Sequence, residues 1–476
     1  MTSASLPALL IGLVLSFGLA VESMGAGGEI GSKPSTLDAL SCNSPYKNKP
    51  VSANTLQSIV QAHERWVEHR GNPKAKRAEL CQARLNRATL AGATLERAHM
   101  DGAVLQHAML TQANLSQASL AGADFTKAIL EGAVIAGADL RRANFTGANL
   151  VRVIGDEAAL FDAVLIGAQL REATFERAQF EGADLTSANL TDGIFIDAYF
   201  YGATLRGADL SRADLMGADL RRTVLTKTNF HQANLQGALL DNAKLLQARL
   251  VEADLESAYL DEADLRGADL QEAILRGADL RYANLHATRL PQADLEGANL
   301  EEADLINTDL RSANLTMAIL YHANLEQSDF REARLNRAVF IGVNGARVNF
   351  TGSDLSELYA PKASLPRSRF NKANLESANF VAADLSGANF DEANLTHTNL
   401  QEVNFRDASL AQANLTGARL GSADLRGTNL RGAILTSTVG LTQTQLDTAC
   451  VDEHTQLSSE LHRPAPCSSM KTDRKP

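Results

Sequence analysis

Residues 261–285 read DEADL RGADL QEAIL RGADL RYANL. In each group of five, Ala stands third, a residue that is usually Asp or Asn stands fourth, and Leu stands fifth. Working outward from this stretch, the period holds in one phase from Leu80 to Leu435. Every position divisible by five carries Leu, Phe, Ile or Met, apart from Gly155, Gly345 and Ala360. A period of five matches neither the 3.6 of a helix nor the 2 of a strand, so the chain must turn within each repeat. A large and a small apolar residue two apart can both point inward from a very short extended segment, with the Asp or Asn between them pointing out. The remaining two residues, often including a glycine such as Gly207, Gly267 or Gly277, suit the corner of a turn.

The rest of the composition is consistent with a folded repeat chain. It has 476 residues, a formal net charge of -11, 45% apolar residues, one Trp and four Cys. That apolar fraction excludes disorder and collagen. A length that would suggest about three globular domains loses that meaning when the fold is built from repeats. The acidic balance also argues against holding nucleic acid by its phosphates.

These residues resemble the pentapeptide-repeat family, whose motif is A(D/N)Lxx, over about three quarters of the chain. The resemblance implies an all-β fold, a right-handed quadrilateral β-helix with four pentapeptides to a coil. Residues 78–437 would then form about 18 coils, in a rod on the order of 85 Å long at ~4.8 Å per coil. An N-terminal capping helix and a small C-terminal helical cap are expected to close its ends, where bare strand edges would otherwise be exposed.

The flanks fit those caps. Residues 54–77 are expected to form the N-terminal cap, with Asn54 capping a helix from Thr55 to Arg70 that places Leu56, Ile59, Val60, His63 and Val67 on one face. Gly71, Asn72 and Pro73 would stop it. This stretch is similar to the helix that precedes the repeats in bacterial members of the family. Packing of that face on the first coil accounts for His63 and Trp66 without a ligand. Residues 438–476 form the C-terminal cap and tail. There Thr442-x-x-Gln445 is a capping box, Leu441 and Leu446 have staple spacing, and a short helix should run to Ala449. Ahead of the caps, Leu6 to Ala20 is an uncharged apolar run with small residues at Gly18, Ala20 and Ala26. We read residues 1–26 as a secretory signal peptide, cut after Ala20 or Ala26, and 27–53 as a flexible linker. The 15-residue run is short of the roughly 20 that a bilayer span needs.

Along a rod of the implied length, Cys42 and Cys81 lie at one end and Cys450 and Cys467 at the other. A disulfide requires Cα atoms within about 7 Å, so the expected pairs are Cys42 with Cys81 and Cys450 with Cys467. Disulfides fit a periplasmic or secreted location.

No catalytic constellation is present. The chain has no GxSxG, P-loop, HExxH or EF-hand loop, the cysteines lack zinc spacing, and no two histidines of the repeat region lie 20 apart to stack as ligands. We therefore expect no enzyme activity, no cofactor and no metal. Side chains 20 apart should stack outward, so Ile319, Val339 and Tyr359, beside Tyr321 and Ile341, form a candidate partner surface, and Ile194, Ile196, Tyr199 and Tyr201 a smaller cluster. Val151 to Gly155 and the stretch from Ile341 to Phe370, with Gly345, Ala360, Pro361 and Pro366, are the expected places for a bulge or loop. The functional expectation is a scaffold of the cell envelope that binds an unidentified protein partner and not nucleic acid, without a stable membrane span, and with pairing of copies also open to it. The resemblance implies one alternative, an acidic rod that mimics DNA toward a type II topoisomerase in the cytoplasm. Residues 78–437 hold 46 Asp and Glu against 33 Lys and Arg. Over the implied rod that is about one net charge per 6 to 7 Å, against one per ~1.7 Å in duplex DNA.

Overall fold

The computed structural model describes residues 42–69 and 75–464. The chain divides into a unit Met1–Asn43, of which only the last two residues are described, and a unit Ser44–Pro476, to which the following account is confined. The expected signal peptide lies outside the described residues.

The unit is a right-handed quadrilateral β-helix. Each outward residue pairs in parallel with the residue 20 positions on, as in Asp264 with Asn284 and Asn284 with Asp304, and this register runs unbroken from Glu79 to Val439. Where Asp or Asn stands fourth, as in 264–268, all five backbone donors of the pentapeptide find acceptors. In 264–268, the N–H of Asp264 donates to Ala243 O at 2.9 Å, that of Leu265 to Asn284 O at 2.8 Å and that of Gly267 to His286 O at 3.0 Å, which tie the coil to both neighbours. Ala268 N–H closes the corner on Leu265 O at 2.9 Å. The fifth donor, Arg266 N–H, has no carbonyl and donates to the Asp264 carboxylate at 3.3 Å. The Asp or Asn of the repeat therefore supplies the acceptor that the backbone lacks, and Asp124 and Asn189 do the same at 3.0 Å. The second corner residue is left-handed, with φ of 63° at Gly267 but also 57° at Arg212 and at Tyr282, so glycine relieves this corner without being required.

Inside, Leu and Ala positions are almost fully buried throughout. Phe330, Phe350, Phe370 and Phe390 stack in one column at centroid separations of 5.1, 4.9 and 4.4 Å. The expected bulges at 151–155 and 341–370 do not occur: the turn-and-bridge pattern passes through both without a break. The three exceptions exchange volume within their inward pair. Where Gly155, Gly345 and Ala360 replace the large residue, Val153, Val343 and Leu358 replace the small one, and all three are buried. A Cβ on Gly155 would overlap the Phe175 ring, and one on Gly345 would sit 2.8 Å from Val348 and 2.9 Å from Leu325. Pro361 and Pro366 fall at corner positions that have no N–H to supply to the ladder.

Both ends are covered. Helix α1 spans Ala53–Glu68, starting earlier than expected because Ser52, and not Asn54, is its N-cap, accepting from Thr55 N–H at 3.2 Å. The expected stop at Gly71 to Pro73 lies outside the described residues. Of the expected linker 27–53, residues 44–51 are docked on the first coil: Asn48 N–H donates to Gln82 O, Arg84 N–H to Lys49 O, and Pro50 pairs with Arg84. His63 is fully buried and joins α1 to the coil, its Nδ1 accepting from Ala78 N–H at 3.0 Å and its Nε2 lying 2.9 Å from Glu96 O. At the other end, strand β1 (Ile434–Leu435) is followed by helix α2 (Gln443–Leu446), which carries the expected Thr442–Gln445 capping box, and by strand β2 (Gln456–Leu457). The Gln445 amide donates to Leu420 O and Ala423 O at 2.9 Å each, while β2 pairs with β1 at an offset of 22 residues.

The exchange of volume is directly testable. Gly155→Ala should lower stability by about 1 to 3 kcal/mol through overpacking. The added variant Phe175→Leu should recover most of the loss in thermal midpoint followed by circular dichroism.

Candidate functional site

A solenoid exposes four faces, each a set of side-chain columns at one-coil spacing, so a site here is a patch of columns and not a cleft. Among the described residues no group of three or more His, Cys, Asp or Glu is placed to hold a metal ion, and no helix is long and apolar enough to cross a membrane.

The expected partner residues come together. Ile319 pairs with Val339 and Val339 with Tyr359, and Tyr321 and Ile341 stand at the adjoining corner. Tyr321 and Tyr359 are 37% and 36% exposed, the others half-buried, and Tyr321 rests edge-on against His322 with centroids 4.3 Å apart. The smaller cluster does not form one patch. Ile194 pairs with Thr174 and Asp214, whereas Tyr199 pairs with Gln179 and Asp219 on the next face. Tyr201 instead lies under two guanidinium groups, those of Arg221, one coil on in its own column, at 5.9 Å and of Arg222 at 5.8 Å.

The acidic ladders are occupied locally. Besides accepting a turn N–H, several outward Asp residues hold the Arg two positions on with both carboxylate oxygens: Asp264 with Arg266 at 2.7 Å twice, and Asp309 with Arg311 at 2.7 and 2.8 Å. The Arg266 hydrogen bond holds the Asp264 carboxyl below its usual range, and Arg426 brings Asp424 down to about 2. Asp241 and Asp261, neighbours in one corner column, are pushed up by partial burial.

One feature was missed in sequence. An open trough of about 720 Å³ has Arg347, Arg367, Arg369 and Arg406 in its lining, with one acid, Asp407, and short polar residues between them. Its signal was available in the 20-residue separation of Arg347 and Arg367.

The cysteines lie at the ends. Cys42, Cys81 and Cys450 are each disulfide-bonded, and Cys467 lies outside the described residues. Cys81 belongs to the first coil, and Cys450 pairs with Asn429 at the last.

The fold and its surface define a parallel β-solenoid closed by two caps. Comparison with known families places it: a model described as pentapeptide repeats matches in successive segments from residue 78 to residue 439, and the chain belongs to that family. No curated protein gives a significant match. Among solved structures, the chain is similar to HetL, a pentapeptide repeat protein involved in heterocyst differentiation regulation from the cyanobacterium Nostoc sp. strain PCC 7120. The identity is 36% over 47% of this chain and 88% of HetL, with a TM-score of 0.24. It is also similar to a pentapeptide repeat protein of the Arabidopsis thaliana thylakoid lumen, with 32% identity over 21% and 72% of the two chains and a TM-score of 0.21. A third is QnrB1, a plasmid-mediated fluoroquinolone resistance protein, with 18% identity over 44% and 90% and a TM-score of 0.23.

His63 gives a pH prediction for the N-terminal cap. Burial lowers its pKa, and its Nδ1 must stay unprotonated to accept from Ala78 N–H. The unfolded chain therefore binds the proton first, and the stability that neutral His63 contributes is fully present above its unfolded pKa near ~6.5. It should be lost as pH falls through the folded value. The protection of the α1 amides, taken as exchange relative to the intrinsic rate at each pH, should fall on acidification below about pH 6.5, and His63→Gln, which keeps a donor and an acceptor, should flatten that dependence.

Proposed function

We propose that this protein is a non-enzymatic binding or structural scaffold of the cell envelope, periplasmic or secreted, that presents a rigid surface to a protein partner. The observation that carries the reading is the unbroken 20-residue register from Glu79 to Val439. It fixes every outward column at ~4.8 Å intervals over the whole rod, an arrangement suited to display and not to closing over a substrate. The patch of Ile319, Val339, Tyr359, Tyr321 and Ile341 is the face we assign to the partner. Capture from an envelope extract with the tagged mature protein should retain a partner that Ile319→Asp with Tyr321→Asp no longer retains, while both proteins melt alike. Identical retention by the two would remove the patch from the proposal.

The location rests on the disulfides. We pair Cys42 with Cys81 and Cys450 with Cys467, one bond at each end. Non-reducing peptide mapping of protein recovered from its native compartment should yield these two linked pairs. Free thiols throughout, with the protein in the cytosolic fraction, would overturn the envelope assignment.

The alternative reading, a DNA mimic acting on a type II topoisomerase, draws less support. Asp264, Asp309, Asp329 and Asp424 are each held by an Arg two residues on, so much of the acidic surface is neutralised where it stands. A supercoiling assay should show no inhibition by the mature protein.

A further inference from the structure

Arginines on this surface find acidic partners in three ways. At the first corner position they pair with the Asp two residues earlier, as Arg311 does with Asp309. At the second corner position they pair with an acid one coil away, as Arg212 does with Asp192 and Arg337 with Glu357. On a face they also reach one coil away, as Arg289 does to Asp269.

In the trough these ways fail for Arg367, Arg369 and Arg406. Arg367 holds a second-corner position whose neighbours one coil away are Arg347 and Gly387. Arg369 holds a face position between Asn349 and Asn389. Arg406 follows Asn404 where an Asp would be needed, and Asn404 accepts only its backbone N–H, at 3.1 Å. Among the described residues, neither the Arg367 nor the Arg369 side chain makes an ion pair. Arg406 has only Asp407 at 3.9 Å, and Arg347 reaches Glu326 at 3.1 Å. Other arginines without an ion pair, such as Arg206, Arg249 and Arg419, have no second Arg one coil away in their columns.

The trough has a definite shape. The coil holding Gly387 and Asn389 carries short side chains there and forms the floor, while Arg367 and Arg369 stand on one side and Arg406 on the other. The Arg367 stem lies over Gly387, 3.3 Å from where a Cβ would be. A comparable concavity around Arg289, Arg311 and Arg331 has each of these arginines paired to an Asp, so open shape alone does not leave guanidinium groups unpaired.

We propose that this trough binds a ligand carrying more than one phosphate group, laid along the rod from Arg347 to Arg406. Several guanidinium forks gathered in one trough exceed what a single carboxylate can use. A phosphate ester carries about -1.5 to -2 charges and accepts bidentate bonds from more than one Arg. Three coil spacings, about 14 Å, separate the two ends of the trough, which is more than one phosphate can span. The inference does not depend on the apolar patch around Tyr321, which belongs to different columns.

The test uses the full chain and two sources of phosphate. Isothermal titration with sodium tripolyphosphate at low ionic strength should show saturable binding that weakens as salt is raised. Arg367→Gln with Arg369→Gln should weaken it by about tenfold or more, and so, to a lesser degree, should Arg406→Gln. Arg311→Gln, in the paired concavity, should leave it unchanged. In the second arm, sedimentation with phosphatidylglycerol vesicles against phosphatidylcholine vesicles asks whether the phosphates belong to lipid headgroups. Binding to the former that the double variant abolishes, without tripolyphosphate binding, assigns them so. Absence of binding in both arms, or equal losses in the Arg311 and Arg367 variants, overturns the site. Circular dichroism of each variant excludes unfolding as the cause.

Discussion

The structure depends on one local hydrogen bond, made in many of the repeats along the rod, from the first corner N–H to the side chain of the Asp or Asn two residues before it. A parallel ladder turning a right-angled corner every five residues leaves one donor per repeat with no carbonyl in reach. Leaving that donor orphaned would cost on the order of 1 to 3 kcal/mol apiece wherever water is excluded. The Asp264 carboxylate meets Arg266 N–H in this way, and Asn189 meets Thr191 N–H. The same residue type that looks like a surface charge in sequence thus completes the backbone, and asparagine serves as well as aspartate because only the acceptor matters. Where an Asn follows an Asp or Asn in the same column the amide gains a second use, as in Asn394 to Asn374 at 2.9 Å.

This explains which parts of the sequence could be read. The inward Leu and Ala positions and the phase were legible, since a strict period with one apolar face admits one register. The outward Asp was placed correctly while its purpose was missed, because that purpose is a donor count and not a pattern of hydrophobicity. Gly155, Gly345 and Ala360 were misread as breaks because each position was weighed alone. The core responds to the summed volume of an inward pair, and Leu358 with Ala360 fills it as another repeat does in the opposite order. At the N-terminal end, residues 44–51 carry no repeat motif, and their docking follows from the open edge of the first coil, which only the folded coil reveals.

The candidate surfaces follow the same division. Stacking at intervals of 20 was enough to gather Ile319, Val339 and Tyr359, since columns need only arithmetic. It could not assign partners to charges. Whether an Arg is neutralised depends on which of three neighbours is acidic, and Arg311 and Arg367 look alike until those neighbours are read around the coil. A rod with an acidic total therefore holds a locally basic trough, and net charge misdescribes the surface at the scale of a ligand.

The lone indole of the chain, Trp66, lies in α1 against His63, with ring centroids 5.3 Å apart. Every other aromatic ring is Phe, Tyr or His, so fluorescence excited selectively at tryptophan is in effect a label fixed in the N-terminal cap. Far-ultraviolet dichroism, in contrast, is dominated by the coils. Comparing the two signals during denaturation distinguishes a rod that frays from its N-terminal cap from one that melts as a unit, without introducing a single foreign group.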